Sequence, residues 1–189
     1  MKRALPLLLL LAVFAVQTRT LATDTKGFGM VQPPSLPVVT KNILPGEGWA
    51  LGTYRLRRQA VVFDTWKPLR RRIALLQTGT LVSMLSGLSE VSKPDVITVT
   101  SPIPDLHLNP GDNLLRYTYR GEGFADFWAK GRWYSNIDGG FVANADGSGC
   151  QSNCKARVVE SGRKSWWFRV RLPDGRTGWT DALESLNQN

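Results

Sequence analysis

Trp166-Trp167-Phe168-Arg169-Val170-Arg171-Leu172-Pro173-Asp174-Gly175-Arg176-Thr177-Gly178-Trp179-Thr180 is the stretch that decides the fold. In an extended strand successive side chains point to opposite faces. Trp166, Phe168, Val170 and Leu172 then share one face, while Trp167, Arg169 and Arg171 share the other. The first face is wholly apolar and is the expected core face. Trp167 is the tryptophan expected nearest solvent, beside two arginines. Pro173-Asp174-Gly175 turns the chain, with Gly175 supplying a positive φ. Gly178 leaves room for a close neighbour, and Trp179 is expected to form a large buried plate.

Outward from this stretch the texture stays strand and turn. Residues 54–63, 73–85, 96–100 and 114–119 are strand candidates rich in β-branched and aromatic residues. Residues 124–128 and 132–134 flank Ala129-Lys130-Gly131, which predicts a hairpin, and 156–160 and 166–172 flank a further turn. A short helical turn is expected over Asp181 to Leu186, with Asp181 as its cap. No window holds a sustained 3.6-residue apolar period. The expected fold class is mainly β, a small barrel, with one barrel or two packed β units both open. Gly46-Glu47-Gly48-Trp49-Ala50 is echoed by Gly121-Glu122-Gly123-Phe124-Ala125, which favours units over 46–110 and 111–189. Residues 23–45, with Pro33, Pro34 and Pro37, read as a Pro-rich extended N-terminal lead-in.

Residues 1–22 read as a signal peptide. Met1-Lys2-Arg3 is a positive start, Ala4 to Val16 is apolar or proline throughout, and Thr20-Leu21-Ala22 fits a small-x-small cleavage site. The apolar run is too short to span a bilayer comfortably, so an integral membrane protein is not expected. The expected localisation is periplasmic or secreted. Loss of Lys2, Arg3 and Arg19 lowers the formal charge from +9 by three, to +6. In an oxidising compartment Cys150 and Cys154 are expected to form a disulfide that pins a short loop. The other use of such a pair is a metal site, which needs further ligands. The chain has no other cysteine and one histidine.

The tryptophan strand, the glycine turn and the Gly178-Trp179 pair resemble the end of a bacterial SH3-like (SH3b) domain. Residues 73–85, ending Leu76-Gln77-Thr78-Gly79-Thr80-Leu81-Val82-Ser83-Met84-Leu85, look like that family's central strands. The resemblance implies a small SH3-like barrel that recognises cell-wall peptide, glycan or a protein partner. The 138–154 loop with its cysteines and the long 86–113 stretch depart from a minimal member.

No catalytic constellation accompanies this resemblance. His107, between two leucines, cannot fill both partner roles beside a cysteine nucleophile. Glu122 with Asp126, and Asp138 with Asp146, read as turn acids. Counting an EF-hand from Asn144 puts Lys155 where a bidentate acid is needed, so that calcium loop fails. No cofactor, metal or enzymatic activity is therefore expected. Charge is more telling. Arg55, Arg57, Arg58, Lys67, Arg70, Arg71 and Arg72 are opposed within 55–72 by Asp64 alone, giving that segment +6. Such a patch attracts anions or solubilises an exposed strand.

The candidate ligand-binding residues are Trp66, Arg70, Arg71, Arg72, Trp167 and Arg169. Tyr117, Tyr119, Trp128, Trp133 and Tyr134 line a groove or fill the core. The expected partners are a cell-wall polymer, an anionic envelope surface or an envelope protein. Export takes the chain away from nucleic acid. The expected function is a non-catalytic envelope binding module. The alternatives are a periplasmic inhibitor or immunity-type protein and, with less in its favour, a cell-wall hydrolase.

Overall fold

A computed structural model of the chain describes residues 28–29, 32–150, 152–182 and 186–188. The signal-peptide reading of residues 1–22 lies outside the described residues. The fold is mainly β and barrel-like. Among the described residues there is no α-helix, and Pro104–Leu106 forms one 3-10 turn.

Among the described residues fifteen strands form two sheets. In chain order they are β1 (Phe28–Gly29), β2 (Val38–Lys41), β3 (Gly52–Leu56), β4 (Ala60–Phe63), β5 (Arg72–Leu76) and β6 (Leu81–Lys93). Next come β7 (Asp95–Val99), β8 (Asn113–Gly121), β9 (Phe124–Ala129), β10 (Arg132–Asp138), β11 (Val142–Ala143) and β12 (Ala156–Glu160). The last are β13 (Arg163–Arg171), β14 (Thr177–Thr180) and β15 (Leu186–Gln188).

One sheet has the order β15-β3-β6-β13-β14-β4-β5, with β2 also paired to β6. Strand alternation builds its inner face: Tyr54 and Leu56 are buried while Thr53 and Arg55 are exposed. Phe168, Val170 and Leu172 pack with Tyr54, Leu56, Ala60, Val62, Val82, Met84 and Leu186. In the sheet β3 and β4 are separated by three other strands, yet their side chains meet in this one cluster. The sheet therefore curls around its core as a half-barrel. Gly178 allows the closure: a Cβ there would lie 2.7 Å from Phe63 O and 2.8 Å from Ile73 Cδ1. Ile73 is itself part of the packing around this core.

The other sheet has the order β1-β10-β9-β8-β7-β12-β11. Its centre, β7 to β10, is an antiparallel meander, and β11 is parallel to β12. Its core gathers Ile97, Leu108, Leu114, Phe127, Tyr134, Val142 and Val158, covered by the 3-10 turn through Leu106. The Tyr134 hydroxyl donates to Leu106 O at 3.2 Å.

The sheets divide the chain differently from units over 46–110 and 111–189. β6 pairs along its length with β13, and all of β7 to β12 is spliced between these two strands. The meander is thus an insert in the curled sheet. Exit and return lie side by side, with Arg163 opposite Lys93. Gly162 permits this crossing, since a Cβ there would sit 2.7 Å from Pro94 C and 2.8 Å from Asp95 N. Within the extended lead-in, β1 joins the insert sheet and β2 the curled sheet. At the other end, residues 186–188 pair with β3 as a strand; of the helical turn expected over Asp181 to Leu186, residues 183–185 lie outside the described residues and Leu186 is the first residue of that strand. That strand covers an otherwise open edge of β3.

Candidate functional site

The outer face of the curled sheet follows from the ladder register. Residues directly opposite in neighbouring antiparallel strands share a face. Arg72 pairs with Phe63, Phe63 with Trp179, Trp179 with Arg169, and Arg169 with Ser86. Two adjacent aromatic side chains, Phe63 and Trp179, are therefore flanked by an arginine on each side across the sheet. Trp167 stands two residues from Arg169 on the same face.

The loop between β4 and β5 folds over this face. Asp64, the lone acid of the basic segment, closes that loop. Its Oδ1 accepts from Arg71 N at 2.9 Å, its own N–H donates to Arg71 O at 3.0 Å, and Arg71 Nε lies 3.8 Å from Oδ2. Leu69 takes a left-handed φ of 62° and is fully exposed, which sends the chain back toward the sheet. The Arg70 guanidinium then lies 4.7 Å from the Trp167 ring centroid and 4.9 Å from that of Phe63. The two rings meet edge-on at 6.1 Å.

This corrects one expectation. Trp167 does lie on the outer face, beside arginines, but it is only 3% exposed. Arg70 and Phe63 cover it. Its Nε1 is buried without a hydrogen-bond partner. Trp179 departs from expectation in the opposite sense. Gly178 and Thr180 take the core-facing positions, and Trp179 is half-buried on the outer face opposite Arg169.

The structure brings Arg70, Trp167 and Arg169 together, with Arg72 at the edge of the same face. Arg71 is turned to Asp64, and Trp66 is half-buried in the loop. Among the described residues Arg70, Arg72 and Arg169 make no salt bridge. The face is cationic and not neutralised.

The aromatic residues of the insert sheet do not form one groove. Tyr134 is in the core. Tyr117 is buried against Trp133, centroids 5.0 Å apart, and burial pushes its hydroxyl above the ordinary value. Trp128 buries its Nε1 without a partner. Tyr119 stands between the two echoed Gly-Glu-Gly turns: its hydroxyl accepts from Gly123 N at 3.2 Å, and Gly46 lies against its ring. The echo is thus a pair of turns that face one another.

The remaining chemical candidates fall elsewhere. His107 is an exposed left-handed residue that ends the 3-10 turn. Asp126 is wholly buried, accepting from Arg120 Nε, Ser135 Oγ and Asn136 N at 2.9–3.0 Å. Asp138 and Asp146 bind the backbone of their own turns, at Gly140 N and Ser148 N. Among the described residues no group of three or more His, Cys, Asp or Glu is placed to hold a metal ion. Cys150 and Cys154 are disulfide-bonded with Cα atoms 5.6 Å apart. A disulfide of this kind fits an oxidising compartment. Among the described residues no helix is long and apolar enough to cross a membrane.

Sequence reasoning missed one cluster, at the junction of the sheets. Asp95 Oδ2 receives Arg116 Nε at 2.8 Å and Lys164 Nζ at 2.7 Å, and Oδ1 receives Gly162 N at 2.7 Å. Arg116 Nη2 also donates to Asn144 Oδ1 at 2.9 Å. Burial opposes ionisation of Asp95, but the Lys164 bond, the Gly162 N–H and the two cations outweigh it and hold the carboxyl below its ordinary value. Burial, with the nearby Arg116 charge, lowers Lys164, against the pull of Asp95. No local signal marks this cluster, because its members come together only through the pairing of β7 with β8 and of β6 with β13.

Compared with known proteins, the chain matches no family model, no curated protein and no solved structure.

Proposed function

We propose that the chain is a non-catalytic binding module of the cell envelope, of SH3-like type, exported to the periplasm or secreted. It recognises anionic cell-wall material through the outer face of the curled sheet. The observation that carries this reading is Arg70. Its guanidinium is held by two aromatic rings and not by a carboxylate, so its charge is positioned but not cancelled. Arg72 and Arg169 extend the same field. The SH3-like assignment is supported by the tryptophan strand β13 lying between β6 and β14, and by the last strand returning beside β3.

Exposed charges are screened over about 8 Å at physiological ionic strength. Cosedimentation with purified cell-wall sacculi should therefore fall as salt is raised. Reversing Arg70, Arg71 and Arg72 to glutamate takes the chain without residues 1–22 from +6 to 0. Binding should be lost while the melting temperature holds. Binding that survives both salt and reversal would rule out the cationic face. Capture of one specific envelope protein, with no sacculus binding, would favour the inhibitor or immunity-type reading.

A further inference from the structure

The junction of the two sheets carries a second cationic site, built differently and sharing no residue with the outer face. A cavity of about 430 Å³ opens beside Arg116 and Lys164. Its remaining wall includes Tyr119, Asn144, Ala125 and Val142, together with glycine backbone. No acid lines it. A smaller cavity, about 260 Å³, lies on the other side of the Arg116–Asn144 pair, and there the acids Asp95 and Asp146 do form the wall. Arg116 and Asn144 thus line both cavities, while Lys164 lines only the larger and the two acids only the smaller.

The count of charge and of donors gives the chemistry. Arg116 and Lys164 share the single carboxylate of Asp95, which leaves one positive charge at the cluster. A guanidinium has five N–H donors and an ammonium three. The bonds to Asp95 and Asn144 use two donors of Arg116 and one of Lys164. Asp95 and Asn144 also fix both cations in place, so a ligand meets groups that are already ordered. The volume falls within the range of small-molecule pockets, about 300–1,000 Å³. Ala125 and Val142, each only 2% exposed, form a small apolar floor next to the charges, and Tyr119 lines the same cavity. The guanidinium can bond either a carboxylate or a phosphate, but one net positive charge suits a singly charged carboxylate better than a phosphate dianion.

We propose that this cavity binds a small monoanion through its carboxylate, the carboxylate bridging Arg116 and Lys164 and a short apolar body resting on Ala125 and Val142. A molecule of the size of a capped dipeptide with a free C-terminus has this chemistry.

The test uses the unmodified protein and three probes: N-acetyl-alanyl-alanine, its C-terminal amide, and inorganic phosphate. Backbone amide shifts of Gly123, Gly139, Gly140 and Gly149 report on the cavity wall. The free acid should shift these amides saturably and the amide should not. Lys164→Gln should weaken binding of the acid by about tenfold, the scale of one lost charge-assisted hydrogen bond, while shifts elsewhere stay as in the parent. Should Lys164→Gln fail to fold, the acid–amide pair in the parent protein still decides. Equal shifts from acid and amide, or no saturable shift from the acid, would overturn the proposal. Tighter saturation of the same amides by phosphate would overturn the carboxylate assignment.

Discussion

On the outer face of the curled sheet a guanidinium rests on two aromatic rings. At the junction between the sheets another rests on a carboxylate. Arg70 is held by dispersion and by the quadrupoles of Phe63 and Trp167, and it keeps its full charge toward solvent. Arg116 is held by Asp95 and Asn144, and most of its field is spent on its own neighbours. The two regions show that an arginine's role is set by what orders it. An aromatic support fixes position and leaves charge available over a distance. A carboxylate support fixes position and leaves only the local surplus supplied by a second cation.

The sharpest way to break this comparison is to remove the supports. Trp167→Ala should cost about 3–5 kcal/mol, as for other buried tryptophans, because the indole is almost fully covered. Trp179→Ala should cost clearly less. Chemical denaturation of both variants tests the order, and a larger loss for Trp179 would place that ring, not Trp167, as the main plate.

Removing the carboxylate support comes next. Asp95→Ala leaves two partly buried cations without their acid, at about 2–3 kcal/mol once their partial exposure is allowed for. The sign of the pH effect follows from the lowered carboxyl. Asp95 contributes fully above its unfolded value, near 3.8, and its contribution is lost as pH falls through its lower folded value. Parent and Asp95→Asn melting curves should therefore differ most near neutrality and converge in acid. A constant gap across that range would mean that the cations are held by other groups.

The smallest effect is expected at Arg70 itself. Arg70→Ala should change stability by about 1 kcal/mol or less, the scale of an exposed cation–π contact. It should nonetheless weaken sacculus binding at low salt. Loss of several kcal/mol instead would make Arg70 a lid for the core and not a presented charge.

Much of this was legible from local chemistry. The mainly-β class, the turn after Leu172, the two faces of β13 and the Cys150–Cys154 disulfide all depend on residues close together in the chain. What local chemistry could not reveal was partnership. Trp167 stands on the outer face as alternation requires, yet its cover comes from Arg70, almost a hundred residues earlier, by way of a loop closed by Asp64. The Gly178-Trp179 pattern at the end of an SH3-like unit predicts an inward Trp179, but its ladder position opposite Arg169 places it on the other face. The Asp95 cluster depends on strand register across an insert, and register is not written in any one strand.

The side-by-side crossing at Lys93–Asp95 and Glu160–Arg163 has a consequence for how the chain reaches this state. Pairing β6 with β13 asks two distant segments to meet, and the entropy of closing a long loop opposes it. Within the insert, β7 to β10 are neighbouring hairpins with local contacts, and β12 then pairs back on β7, with Glu160 opposite Val96. Once the insert has formed, its two ends emerge next to each other, and the long closure becomes as short as a turn. The insert thus provides an internal template: with its ends side by side, it shortens the closure that the sheet containing both flanking segments requires.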